Sequence, residues 1–149
     1  MAEDIRIERN ITLINDVNEV PRLSEVIEEV CEAAGFDIAA TMKINLAVEE
    51  AVVNVIEYAY PKGVGEVNTK LMVVGDCLEI EITDSGIPFD PTLKGDVDTT
   101  LKAEERPIGG LGIYLVRQIM DTINYQYKDG KNVLKLTKKI TSTLTTETI

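Results

Sequence analysis

Hydrophobic and polar positions change period several times along the chain, and each change marks an element. Between Ile5 and Ile14, Ile alternates with Arg and Glu before the run Ile-Thr-Leu-Ile, the period-two pattern of a strand. From Val17 to Ala34 the spacing becomes helical, with Val20, Leu23, Val26, Ile27 and Val30 on one face. Pro21 belongs in the first turn of that helix, and Gly35 is its stop. Asp37 reads as the N-cap of a longer helix that runs to about Tyr58 and ends at Tyr60-Pro61-Lys62-Gly63. Two strands follow, Glu66–Val74 and Cys77–Thr83, with a hairpin turn at Gly75-Asp76.

Residues 84–112 are rich in Gly, Pro and charge and keep no period, as expected of a lid or binding loop. Helix returns at Ile113–Asp121. A closing hairpin, Ile123–Lys128 and Asn132–Ile140, turns at Asp129-Gly130. The Thr-rich residues 141–149 are expected to fray. Helices and hairpins come in segregated runs, which predicts an α+β fold: a two-layer sandwich of a mixed, mostly antiparallel sheet with helices on one face. Residues 1–140 form the expected single domain, a size suited to one core in a chain of 149 residues.

Composition narrows the chemistry. With 15 Lys+Arg against 26 Asp+Glu, the net charge is −11, which disfavours binding to a phosphate backbone. There is no histidine, so Ser-His-Asp and Cys-His catalysis and histidine zinc sites are excluded. Cys31 and Cys77 stand apart without a C-x-x-C pair and read as core residues. The charged N-terminus has no apolar leader pattern, and no apolar run approaches about 18 residues, so a cytoplasmic protein with no membrane contact is expected.

Three features carry candidate chemistry. On the second helix, at roughly 100° per residue, Glu50 and Asn54 lie about 40° apart, with Lys43 and Glu57 near Glu50. Ile44, Val48, Ala51 and Val55 form a separate apolar face. Such a stripe offers a carboxylate base and a neutral oxygen ligand for a hard cation such as Mg²⁺; the competing reading is a solvated face with a Lys43–Glu50 pair. Asp84-Ser85-Gly86, directly after a strand, offers a carboxylate to a ligand amine and a glycine for close approach, or is an ordinary turn. Gly109-Gly110-Leu111-Gly112 leads into a helix whose free N–H groups would suit phosphate, or is a flexible loop. It matches neither the Walker nor the Rossmann pattern.

In order and spacing, Glu50-x-x-x-Asn54, Asp84-x-Gly86 and Gly110-x-Gly112 resemble the N, G1 and G2 boxes of the GHKL ATPases. Within that superfamily, EEAVVNVIEYAYP, DSGIPFDP and GGLGIYLVRQIMD are similar to the anti-sigma-factor serine/threonine kinases of the RsbW type, over nearly the whole span from Ile5 to Ile140. The resemblance implies a histidine-kinase-like ATPase fold with ATP between the long helix and a lid. It implies that Asn54 binds Mg²⁺ and that Asp84 accepts the adenine amino group. Gly86 would allow close approach to the base, and the N–H groups of Gly110, Leu111 and Gly112 would hold phosphate oxygens. Glu50 would be the catalytic base toward a protein hydroxyl.

Lys102 and Arg106 would lie in the lid, as solvated charges or near the terminal phosphate. The implied partners are a sigma factor or comparable regulator, a STAS-type antagonist and a second copy of the chain in a homodimer, with the first strand as a contact surface. Two departures stand out: Tyr58 occupies a place where His is common, and Pro88 replaces a second glycine. The alternatives are an ATP-gated binding module that transfers nothing and a stand-alone ATPase in which Glu50 activates water.

Overall fold

The computed structural model describes residues 5–93 and 110–140. Strand β1 (Ile5–Ile14) leads through a 3-10 turn at Val17–Glu19 into helix α1 (Val20–Ala34) and then helix α2 (Ile38–Tyr58). Strands β2 (Glu66–Val74) and β3 (Cys77–Asp84) follow, then a 3-10 turn at Pro91–Leu93. Helix α3 (Gly110–Ile119) and strands β4 (Thr122–Lys128) and β5 (Lys131–Lys139) complete the described chain. The strands lie in the order β1-β2-β3-β5-β4, and every described ladder is antiparallel.

Local chemistry sets these boundaries. The Asp37 carboxylate accepts the Ala40 N–H at 2.7 Å, satisfying one of the donors a helix start leaves open. Gly35 closes α1 in the left-handed conformation and returns its N–H to Cys31 and Glu32 carbonyls. The β4–β5 turn holds Asp129 at φ 54 and Gly130 at φ 75, the two positive values that a two-residue turn needs to follow strand twist.

Alternation along each strand divides the sheet into two faces. Val67, Leu71 and Val73 of β2, Leu78, Ile80 and Ile82 of β3, and Leu134 and Leu136 of β5 are buried with Leu23, Ile27, Ile44 and Val48 of the helices. All three helices therefore sit on one face, as the segregated pattern predicts. The opposite face carries Asn10, Asn68, Lys70, Glu79, Glu81 and Lys135, with Asn68 bonded to Asn10 and Thr12 across the β1–β2 ladder.

Three expectations are revised. Helix α3 begins at Gly110 rather than Ile113, so Gly110, Leu111 and Gly112 are first-turn residues instead of a loop before the helix. First-turn N–H groups take no intrahelical bond, which makes that turn a tolerable place for glycine. Helix α3 also ends two residues early, because the Asp121 N–H pairs with the Thr137 carbonyl at 2.8 Å. Cys77 is half-exposed, because strand parity places it with Glu79 and Glu81 on the outer face. Cys31 is in the core as expected, and burial pushes its thiol up to about 12.

Candidate functional site

A narrow cleft opens where the C-terminal half of α2 meets the ends of β3, β4 and β5. Its walls include Asn54 and Ala59 of α2, Asp84 of β3, Phe89, Tyr125 of β4 and Asn132 of β5. Asn54 and Asp84, 30 residues apart in sequence and on different elements, are thus brought to one site.

Asp84 ends β3 on the same parity as Leu78, Ile80 and Ile82, which points its carboxylate inward, where it is buried. Its Oδ1 accepts the Gly86 N–H at 2.8 Å and the Asn132 Nδ2–H at 2.9 Å. Burial raises the Asp84 carboxyl above its usual range, and these two bonds oppose the rise without cancelling it.

Asn132 is the residue that sequence reasoning missed. It lies opposite Asp84 in the β3–β5 register. Besides Asp84 it donates to the Ile87 carbonyl at 2.8 Å, and its Oδ1 accepts the Phe89 N–H at 3.0 Å and the Tyr125 hydroxyl. One amide side chain therefore orders both the carboxylate and the turn after it. The signal was present: Asn132, Leu134 and Leu136 share one parity, so a polar residue stands on the face that the strand buries.

Gly86 sits where close approach is required, but its near neighbour is protein backbone. A Cβ there would fall 2.2 Å from the Ala59 carbonyl oxygen, so only glycine lets the turn lie against the end of α2. The adjoining Ile87 N–H bonds to that same Ala59 oxygen at 2.9 Å.

Helix α2 supplies the polar end of the site. Asn54 is 5% exposed, and its Oδ1 has no hydrogen-bond partner among the described residues. Leaving a buried carbonyl oxygen unpaired costs about 1–3 kcal/mol, a penalty that a cation or water would relieve. Asn45 Oδ1 and Thr69 Oγ1 are also unpaired, but neither residue lines the cleft. The donor type suits a hard divalent cation, which accepts neutral oxygen ligands and takes the remainder from phosphates and water.

Glu50 lies one turn before Asn54 and is half-buried, outside the cleft lining. Burial foremost, then the charges of Glu49 and Glu57, hold its carboxyl above the usual glutamate range. No ion pair joins Lys43 to Glu50 among the described residues, so the paired-face reading of the stripe is not realised. Tyr58 stacks on Phe89 with ring centroids 5.7 Å apart, which ties α2 to the segment after Asp84.

Helix α3 packs beside α2, and Arg117 donates to the Thr92 carbonyl, anchoring α3 to that same segment. The first turn of α3 holds Gly110, Leu111 and Gly112. Lys102, Arg106 and Gly109 lie outside the described residues. The described arrangement thus has a carboxylate for a polar base, an unpaired oxygen for a cation and a second carboxylate one turn away.

The family described as the histidine kinase-like ATPase domain matches residues 13–138. The chain belongs to that family.

Among curated proteins, it is 35% identical over 115 residues to the serine-protein kinase RsbW of Bacillus mycoides, covering 74% of this chain and 71% of that one. To the serine-protein kinase RsbW of Listeria monocytogenes it is 33% identical over 117 residues, covering 74% and 73%. Within the ATPase family it therefore falls in the RsbW serine-protein kinase group. The crystal structure of the RsbU and RsbW domains of Rv1364c from Mycobacterium tuberculosis shares the fold. Its TM-score is 0.61 at 17% identity, over 89% of this chain and 32% of that longer one. Among the described residues no helix is long and apolar enough to cross a membrane.

Proposed function

We propose that this chain transfers the γ-phosphoryl group of ATP to a serine or threonine of a STAS-type antagonist protein. In its other engagement it holds a sigma factor or comparable regulator, so that phosphorylation switches partners. The observation that supports this reading is the shared cleft, lined by both Asn54, whose buried side-chain oxygen has no partner among the described residues, and the buried Asp84. Residues 1–140 act in this reading as one catalytic unit.

Each residue then has a distinct task. Asp84, with Oδ1 fixed by Gly86 and Asn132, accepts the amino group of the adenine ring. Asn54 offers its oxygen to Mg²⁺, which would supply neutralisation of phosphate charge. The first-turn N–H groups at Gly110, Leu111 and Gly112 face phosphate oxygens from the positive end of α3. Glu50 takes the proton of the acceptor hydroxyl; its oxygen bonds to the γ-phosphorus as the bond to the β–γ bridging oxygen breaks, and ADP leaves. A carboxyl raised toward the working pH is the better proton acceptor for such a step.

Homodimerisation belongs to the same reading. Strand β1 is an edge of the sheet, and Ile5 and Ile14 at its two ends are exposed. Calorimetric titration tests the nucleotide assignment: ATP should bind in the presence of Mg²⁺ and GTP should bind far more weakly. Equal affinity for the two would remove the Asp84 contact.

A further inference from the structure

The turn after Asp84 is held by three consecutive backbone donors, and two of them reach the end of α2. The Gly86 N–H closes on Asp84 itself at 2.8 Å, and the Ile87 N–H bonds to the Ala59 carbonyl at 2.9 Å. The Ser85 N–H bonds to the Tyr60 hydroxyl at 2.9 Å, and that hydroxyl donates to the Glu66 carbonyl at 2.6 Å. Tyr60 therefore joins the end of α2, the start of β2 and the residue that follows Asp84. By sequence it is only the place where a helix stops.

The ring is seated as deliberately as the hydroxyl is bonded. A Cβ at Gly65 would fall 2.2 Å from a ring carbon of Tyr60, so this ring position requires glycine at 65. Gly65 is itself fixed by Asn15, whose Oδ1 accepts the Gly65 N–H at 3.0 Å and whose own N–H bonds to the Gly65 carbonyl at 2.9 Å.

We propose that Tyr60 is a positioning residue for nucleotide recognition: its hydroxyl latches the Asp84 turn to the helix that carries Asn54 and Glu50. The inference rests on the ATP-binding reading above. The latch keeps the base-recognising carboxylate in register with the metal-binding end of the cleft. Its loss weakens discrimination between adenine and guanine more than it weakens binding of phosphates.

The test compares wild type with Tyr60→Phe and Gly65→Ala by calorimetry, using Mg-ATP, Mg-GTP and Mg-tripolyphosphate. Tyr60→Phe keeps the ring and removes the latch; Gly65→Ala displaces the ring and keeps the hydroxyl. In both variants the preference for ATP over GTP should fall about fivefold, as for one lost hydrogen bond, with tripolyphosphate affinity unchanged. Unaltered preference in Tyr60→Phe would overturn the inference, as would an equal loss for ATP and tripolyphosphate. A wild-type chain that binds no ATP overturns the kinase reading and the latch together. A wild type selective for adenine beside an equally selective Tyr60→Phe overturns the latch alone.

Discussion

Asn132 donates its side-chain N–H to Oδ1 of Asp84 at 2.9 Å from the facing position on the neighbouring strand. The same Nδ2 also donates to the Ile87 carbonyl, and the Asn132 Oδ1 accepts the Phe89 N–H and the Tyr125 hydroxyl, so a single side chain ties β3 and β4 to the turn beside the cleft. In Asn132→Ala, four bonds are lost and buried groups lose partners. Stability should fall by about 2–3 kcal/mol, and ATP affinity should fall with it. Urea unfolding and calorimetry check the two together; an unchanged midpoint would show that the network is not structural.

Asp84 is held above its usual carboxyl range, so its charge is a burden on the fold. The unfolded chain loses this proton at a lower pH than the folded chain does. Stability is therefore lost as pH rises from the unfolded value, about 3.9, through the raised folded value. Asp84→Asn keeps an oxygen to accept the Gly86 and Asn132 N–H groups and removes the charge. The variant should melt at a higher temperature than wild type at pH 7, with the gain vanishing near pH 3, while its ATP affinity falls. A lower melting temperature at pH 7 would contradict this balance.

Asn54 gives a similar separation. Replacing it with Ala removes an unpaired buried oxygen, which offsets the small cavity left behind. Thermal stability should hold within about 1 kcal/mol while Mg²⁺-dependent ATP binding disappears. Unchanged ATP affinity in this variant would end the metal assignment.

Glu50 should show its surroundings in the pH dependence of transfer. The base works when ionised, so the rate rises as pH climbs through its raised value. Glu57→Gln deletes one of the two charges that add to the effect of burial, and the inflection should move to lower pH. Added salt should shrink the difference, since Glu57 is exposed. A pH–rate profile that does not move, or moves upward, would contradict Glu50 as the base.

Much of this site was legible because its residues break local patterns. Asn54 interrupts an apolar helix, Asp84 stands where a strand runs out, as its last residue, and Asp37 and Asp129-Gly130 mark their boundaries by backbone chemistry. Pairing across the sheet was not legible in the same way. Asn132 and Tyr60 act through partners 48 and 25 residues away, and no local period encodes such distances. Helical angles put Lys43 beside Glu50, and the glycine after a strand-end carboxylate offered close approach to a ligand at Gly86. Neither signal specifies what packs at the position; in the structure Lys43 faces solvent, and the Ala59 backbone lies against Gly86.

The most direct measurement is transfer of label from γ-labelled Mg-ATP to a small protein, with wild type and Glu50→Gln run side by side after both are shown to bind ATP. Label on serine or threonine with wild type, and none with Glu50→Gln, is the expected result. Equal labelling by the two would contradict Glu50 as the base, and no labelling by an ATP-bound wild type offered a STAS-type antagonist would contradict the kinase itself.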